Sequence, residues 1–484
     1  MKTYKPYQIA VIIIGLFLCF FGRFLPLSAT LGPSGTQVLT IMTGGLLMWL
    51  LVGVDWTSLA VILALALIPE YGMNKVSAGT LGNGTVFYLM LCFMLAKSLQ
   101  ATGVAHRLAV WFLTSSFSRK GAWCTIAMIF VSIFVLSSGL SSSSTIMIFL
   151  PILYEIFESL GYEKGKGDAF PAVMIASLAI VCQIAQATTP ISHAMTLIGF
   201  SSYNSYTGNT MEFGQYVMAA MPVGILTAVG WFLVCRFVWK PDVSRLSRLD
   251  YDAIKGNQGP LTRQEKIAAA VYLAVVVLWL APGISKYICP AVYPALNKIQ
   301  QCYPPIAGII LLHFIKVEGR PVLSYKDAVS AVPLGTLLFM GALLHLGSAL
   351  ANTEIGVAAW LSDTIGVYCN GISPMVFVVI IAALSVILTN FMSNSVTCAI
   401  CMAIAMPLSL GIYDGMISPL LPAIMITIGI NFAFATAPAT PPVAIAADSG
   451  WISAGKLFQY GMVAGLVGIL AMLAVGMPIV NMVC

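Results

Sequence analysis

The feature that most constrains this chain is a succession of long apolar runs set apart by short polar segments. A transmembrane helix takes about 20 apolar residues, so the length accommodates on the order of ten spans and short loops. The runs lie near 8–26, 38–53, 55–69, 84–113, 170–200, 213–239, 267–284, 301–315, 331–362, 418–448 and 457–483. Composition agrees: 8% of the residues are charged and 59% hydrophobic, whereas a soluble domain carries roughly 25% charged residues. There is too little polar surface to coat a water-soluble particle, and no stretch is polar enough for a separate soluble domain. The expected fold is an all-α polytopic membrane protein with about 11 transmembrane helices, each of the order of 20 residues.

Two further apolar stretches, 121–160 and 374–412, are interrupted in the middle. The first is broken at Ser137-Ser138-Gly139 and Ser141 to Thr145, the second at Thr389-Asn390 and Ser393-Asn394-Ser395. Each half is short for a span, so each stretch reads as a re-entrant helical hairpin. The N-terminal run, preceded by Lys2 and Lys5, passes into Arg23, Leu25 and Pro26 without a small-residue cleavage site. It reads as a retained first helix rather than a secretory signal.

The formal charge of +6 does not form one basic patch of the kind nucleic acid would need. With the N-terminus inside, the cytoplasmic face receives Lys2, Lys5, Arg119, Lys120, Lys164, Lys166, the six basic residues of 240–266, Lys316, Arg320, Lys326 and Lys456. The outer face receives Arg23, Lys75, Lys286 and Lys298. Positive residues accumulate on the cytoplasmic side, so this asymmetry predicts a multi-pass protein of the cytoplasmic (inner) membrane. The 11 cysteines fall mostly inside apolar runs, without metal-ligand spacing, and read as small buried residues.

Shifting the chain against itself by about 251 positions places Thr85 on Thr336, Leu95 on Leu346, Leu99 on Leu350 and Thr189-Pro190 on Thr440-Pro441, with Ser141 one residue from Ser393. The predicted organisation is an N-terminal helix (1–37), a first repeat (38–240, hairpin 121–160) and a cytoplasmic linker (241–266). A linking span (267–288) and a second repeat (289–484, hairpin 374–412) follow. Five spans and one hairpin per copy would invert the second copy, a plan that recurs in secondary transporters with interrupted helices at the binding site.

Four breaks carry the candidate chemistry: Ser141-Ser142-Ser143, Thr188-Thr189-Pro190, Ser393-Asn394-Ser395 and Ala439-Thr440-Pro441-Pro442. Half-helix N-termini offer N–H groups and a positive dipole end to carboxylates. Freed carbonyls with hydroxyl or amide oxygens suit a small hard cation such as sodium. For any one break alone, back-bonding Ser and Thr or a proline kink is the commoner explanation. Recurrence at one offset in both halves favours binding.

At these residues the chain resembles the divalent anion/sodium symporter family, whose members carry Ser-Asn-Thr at each hairpin tip and Thr/Ser-Pro-Pro at the following break. The resemblance covers nearly the whole chain. It implies a homodimer with a scaffold and a moving transport domain, no cofactor, and sodium as coupling ion. It implies substrate contacts from Ser393, Asn394, Ser395 and Thr440, with Thr389, Asn394 and the Ala439 backbone around one sodium. In the first half it implies Ser137, Ser141, Ser142 and the Thr188 backbone around the other sodium, with Ser142, Ser143 and Thr189 touching substrate. Here Ser142 stands where the family has Asn, which removes one oxygen ligand and one donor from the first site.

The expected function is therefore carriage of a di- or tricarboxylate by sodium-coupled symport. A sodium-independent exchanger or a proton-coupled carrier using His193 or Asp448 is the alternative. A remote third reading, an intramembrane serine hydrolase, rests on Gly139-Leu140-Ser141-Ser142 and His193, and requires a base within reach of the nucleophile. Lys97, His106, Arg107, His345 and Glu354 also fall in apolar runs, where ionisable groups are costly. Arg107 is expected to snorkel to the inner face.

Overall fold

The computed structural model describes residues 4–27, 30–191, 193–256, 259–296, 298–369, 371–437 and 439–483. Lys2, which enters the charge asymmetry, lies outside the described residues. The described residues form helices and one two-stranded ribbon, Lys316–Val317 against Arg320–Pro321. That ribbon turns on Glu318 and Gly319, both at positive φ (53° and 80°), as a two-residue hairpin requires.

Helices α1 (Pro6–Phe21) and α2 (Pro33–Leu51) each carry proline in the first turn, where a missing N–H is harmless. They pack backbone to backbone: a Cβ on Gly44 would stand 2.6 Å from the Gly15 carbonyl oxygen. Then come α3 (Asp55–Ala66), α4 (Gly72–Gly79), α5 (Gly84–Ala101) and α6 (Val104–Leu113). The run 84–113, read from sequence as one span, is two helices. Gly103 at φ 82° ends the first and precedes the second, a left-handed conformation that glycine adopts without strain.

The first interrupted stretch forms α7 (Ala122–Gly139) and α8 (Ser142–Ser159), which pack on each other and on α9 (Ala169–Gln186). Helix α9 is the axis of the molecule: 94% of its apolar window is buried. It is followed by α10 (Ala194–Thr207) and α11 (Phe213–Val234), the latter running into a π-helical turn, Cys235–Trp239.

The linker holds a short helix, α12 (Tyr251–Lys255), capped by Asp250. Helix α13 (Arg263–Ile288) opens on a capping box in which Thr262 and Glu265 satisfy each other's backbone N–H. Next are α14 (Tyr293–Leu296), α15 (Tyr303–Phe314), α16 (Tyr325–Ser330), α17 (Leu334–Ala351) and α18 (Val357–Cys369). The second interrupted stretch forms α19 (Pro374–Thr389) and α20 (Asn394–Leu410). The chain closes with α21 (Leu420–Gly429), α22 (Pro441–Asp448), α23 (Ala454–Ala471), a π-helical turn at Met472–Gly476 and α24 (Met477–Val483).

Among the described residues nine helices are long and apolar enough to cross a membrane, against the eleven or so runs counted in the sequence. The runs 55–69 and 301–315 appear as shorter helices, Asp55–Ala66 and Tyr303–Phe314. The run 331–362 divides before Gly356, at φ 75°, and 418–448 unwinds between α21 and α22.

The linker is clasped to its neighbours. Arg119 Nη2 meets Asp252 Oδ1 at 2.6 Å, its guanidinium lies 5.5 Å from the Tyr251 ring, and the Tyr251 hydroxyl is 2.7 Å from Thr125 Oγ1 on α7. The hydrogen bond from Arg119 holds the Asp252 carboxyl below its ordinary range. Beyond α8, Arg245 stacks 4.5 Å from the Tyr162 ring and donates to the Gly161 carbonyl at 3.2 Å. Arg107 on α6 pairs with Glu265 at 2.9 Å and donates to the Gly259 carbonyl at the linker's end.

Candidate functional site

At the first tip, Ser141 is the N-cap of α8: its Oγ accepts from Ser144 N at 3.3 Å and lies 2.7 Å from Ser144 Oγ. This cap, with glycine at 139, ends one helix and starts the next within two residues. Thr189 Oγ1 donates to the Ser138 carbonyl at 2.6 Å, and Thr188 Oγ1 donates to the Ala185 carbonyl at 2.6 Å while lying 3.3 Å from Ser138 Oγ. The α9–α10 break is thereby fastened to the α7–α8 tip. Two freed carbonyls find phenols: Tyr216 donates to Ala187 O at 2.5 Å, and Tyr272 donates to Gly139 O. Ser137, Ser142, Thr188 and Thr189 are buried. Ser143 is exposed and lines a cleft of about 390 Å³ with Gln100 and His106.

The second tip has a different fastening. Thr389 Oγ1 lies 2.9 Å from Asn394 Oδ1 and 2.8 Å from the Ile430 carbonyl oxygen, so three oxygens converge at the head of α20. Asn390 does most of the structural work. Its Nδ2 donates to the carbonyls of Val386 (2.7 Å) and Phe432 (2.9 Å), and its Oδ1 accepts from the N–H groups of Phe434 and Ala435, both at 2.8 Å. Its own carbonyl accepts from Thr436 Oγ1. These bonds replace helical ones for 432–436, which is why α21 stops after 10 residues where α9 runs for 18.

Thr440 adopts extended backbone (φ −149°, ψ 152°) before Pro441 and Pro442, which occupy the first turn of α22. Its side chain is 7% exposed, and Oγ1 has no hydrogen-bond partner among the described residues. Asn394 and Ser395 are buried, Ser393 is half-buried, and Ala439 is buried beside Thr440.

The two halves meet here. His193 Nε2 bonds Asn431 Oδ1, joining the first break to the second, and Asn431 Nδ2 donates to Thr427 O at 2.8 Å. Ser395 Oγ reaches Met195 Sδ at 2.9 Å. Helix α22 packs on α8 and α9, and α20 and α21 pack on α10. Asn431 carried no signal in the sequence beyond being an amide in an apolar run, and Asn390 registered only as part of a break. Ser141 and His193 are bonded to Ser144 and Asn431 respectively, and no hydrogen bond joins the two among the described residues. Asp448 is exposed at the end of α22.

A polytopic helical bundle whose broken helices meet at buried hydroxyls, amides and freed carbonyls has the build of a membrane transporter. The chain belongs to the family described as the sodium:sulfate symporter transmembrane region, whose family model matches residues 5–484, in line with the resemblance carried by the tips and breaks. Among curated relatives, a sodium-dependent dicarboxylate transporter, SdcS, of Staphylococcus saprophyticus is 25% identical over 409 residues, covering 80% of this chain and 76% of the relative. SdcS of Staphylococcus aureus is 25% identical over 407 residues, covering 78% and 74%. Two solved structures share the fold. MtrF of Neisseria gonorrhoeae has TM-score 0.58 and 13% identity, covering 98% of this chain and 95% of its own. The YdaH transporter of Alcanivorax borkumensis has TM-score 0.51 and 12% identity, covering 83% and 86%. The protein is thus a multi-pass membrane transporter, and the hydrolase reading falls.

Proposed function

We propose that this protein carries a small di- or tricarboxylate by sodium-coupled symport with alternating access. The observation that carries the reading is the convergence of Thr389 Oγ1, Asn394 Oδ1 and the Ile430 carbonyl at the start of α20. Hydroxyl, amide and backbone oxygens are hard ligands suited to sodium. The Asn394 Nδ2 then remains free in chemistry to donate to an anion, so one residue links ion and substrate. The Thr440 hydroxyl at the head of α22, without a hydrogen-bond partner among the described residues, offers a second donor near a positive helix end. The names of the SdcS relatives point to the same substrate class.

On this reading Ser393, Asn394, Ser395 and Thr440 contact substrate from the second half, and Ser142, Ser143 and Thr189 from the first. Thr389, Asn394 and Ala439 hold one sodium, and Ser137, Ser141, Ser142 and Thr188 the weaker one, because Ser142 lacks an amide. The two halves are inverted repeats, the assembly is a homodimer, and the N-terminus lies on the inner side of the cytoplasmic membrane. One observation favours a proton-coupled variant: His193, a titratable side chain, bridges the two breaks through Asn431.

The test is uptake of labelled succinate, citrate and sulfate into proteoliposomes, with and without a sodium gradient. Saturable, sodium-dependent dicarboxylate uptake is expected, with Ser142→Asn steepening the sodium dependence. Uptake driven by a proton gradient alone and abolished in His193→Gln would replace symport with sodium by symport with protons.

A further inference from the structure

We infer that the intramembrane groove between α7 and α11 is a binding site for an anionic glycerophospholipid, with an acyl chain in the groove and the phosphate on Arg236. The two helices both lean on α9 and touch each other little, leaving an apolar cavity of about 240 Å³. Ala127 and Ala228 provide its depth, and Phe130, Phe134 and Phe232 wall it. On α7 the lining positions recur at helical spacing from Ala127 to Phe134, and on α11 from Ile225 to Phe232, so the groove runs lengthwise along both helices.

One end is polar in a particular way. Arg236, in the π-helical turn that ends α11, is exposed, 5.8 Å from the Trp123 ring and 5.3 Å from the Phe237 ring. Trp123 in turn meets Phe232 edge-on at 5.8 Å, so the cation caps the same aromatic wall that lines the groove. Among the described residues no carboxylate forms an ion pair with Arg236. An unpaired guanidinium at the mouth of an acyl-sized slot complements a phosphodiester above a hydrocarbon chain, and aromatic rings at that level belong to the membrane interface. The deep end is Phe134, whose carbonyl accepts from Ser138 and whose ring would lie 3.6 Å from a Cβ on Gly224, beside Thr188. A lipid tail would thus abut the first break from behind.

The experiment is native mass spectrometry of the full chain purified in detergent and offered equal amounts of phosphatidylglycerol and phosphatidylcholine. The expected result is retention of phosphatidylglycerol with about fivefold preference, the factor one basic residue provides near an anionic lipid surface. Arg236→Gln, at an exposed position, should keep the bound lipid and lose the preference. Ala228→Phe should lose retained lipid of both kinds. Equal retention of the two lipids, a preference unchanged by Arg236→Gln, or retention unchanged by Ala228→Phe would each overturn the assignment. So would a disulfide between two copies of a Val229→Cys variant, which would make a second copy the occupant.

Discussion

At the scale of single residues, two asparagines four positions apart have opposite duties. Asn390 supplies both a donor and an acceptor face to segment 432–436, whereas among the described residues Asn394 is held by Thr389 alone. Asn390→Ala would leave the Phe434 and Ala435 N–H groups buried and unmet, at about 1–3 kcal/mol each. We expect a melting midpoint well below that of the native protein. Asn394→Ala should melt near the native midpoint and lose most dicarboxylate uptake; normal uptake by that variant would remove it from the site. The breaks themselves were legible in the sequence, because Ser, Thr, Asn and Pro clusters interrupt the apolar runs and recur at one offset in both halves. The bond from His193 to Asn431 was not, since it joins residues 238 positions apart and no local pattern encodes such a pairing.

At the scale of elements, α23 presses on the backbone of the unwound segment through Gly461 and on the Phe432 ring through Gly468. A Cβ on Gly461 would stand 2.4 Å from Ala435 Cα and 2.5 Å from the Phe434 carbonyl oxygen, whereas one on Gly465 would meet only Val386 Cγ1 at 3.6 Å. Backbone cannot step aside as a side chain can. Gly461→Ala is therefore expected to cost about 1–3 kcal/mol and to depress uptake, while Gly465→Ala stays close to native in both. Thermal melts of the pair in detergent check this. Apolar runs were enough to locate helices such as α7, α9 and α19. It did not show where a helix stops inside an apolar stretch. The division at Gly103 depends on a left-handed φ, and the end of α21 depends on a side chain from another helix.

At the scale of the whole molecule, the linker segment 240–256, which carries Lys240, Arg245, Arg248 and Lys255, is tied to Arg119 through Asp252 and Tyr251. If that segment is cytoplasmic, a Ser247→Cys variant in a Cys289→Ser background should react with an impermeant maleimide in inside-out vesicles and resist it in intact cells. Lys75→Cys should do the reverse. The opposite pattern would turn the protein over in the membrane. The clasped linker has a consequence for watching transport. Tyr251 and Arg119 make its first part travel with α7, while Arg107 and Glu265 pin its far end to α6 and α13. Any slip of the α7–α8 pair past α13 must then appear as rotation near Gly256, already at φ 53°. Dyes placed at 247 and on α13 would turn each transport cycle into a change in colour, so that the loop serves as a gauge of motion for the machinery beneath it.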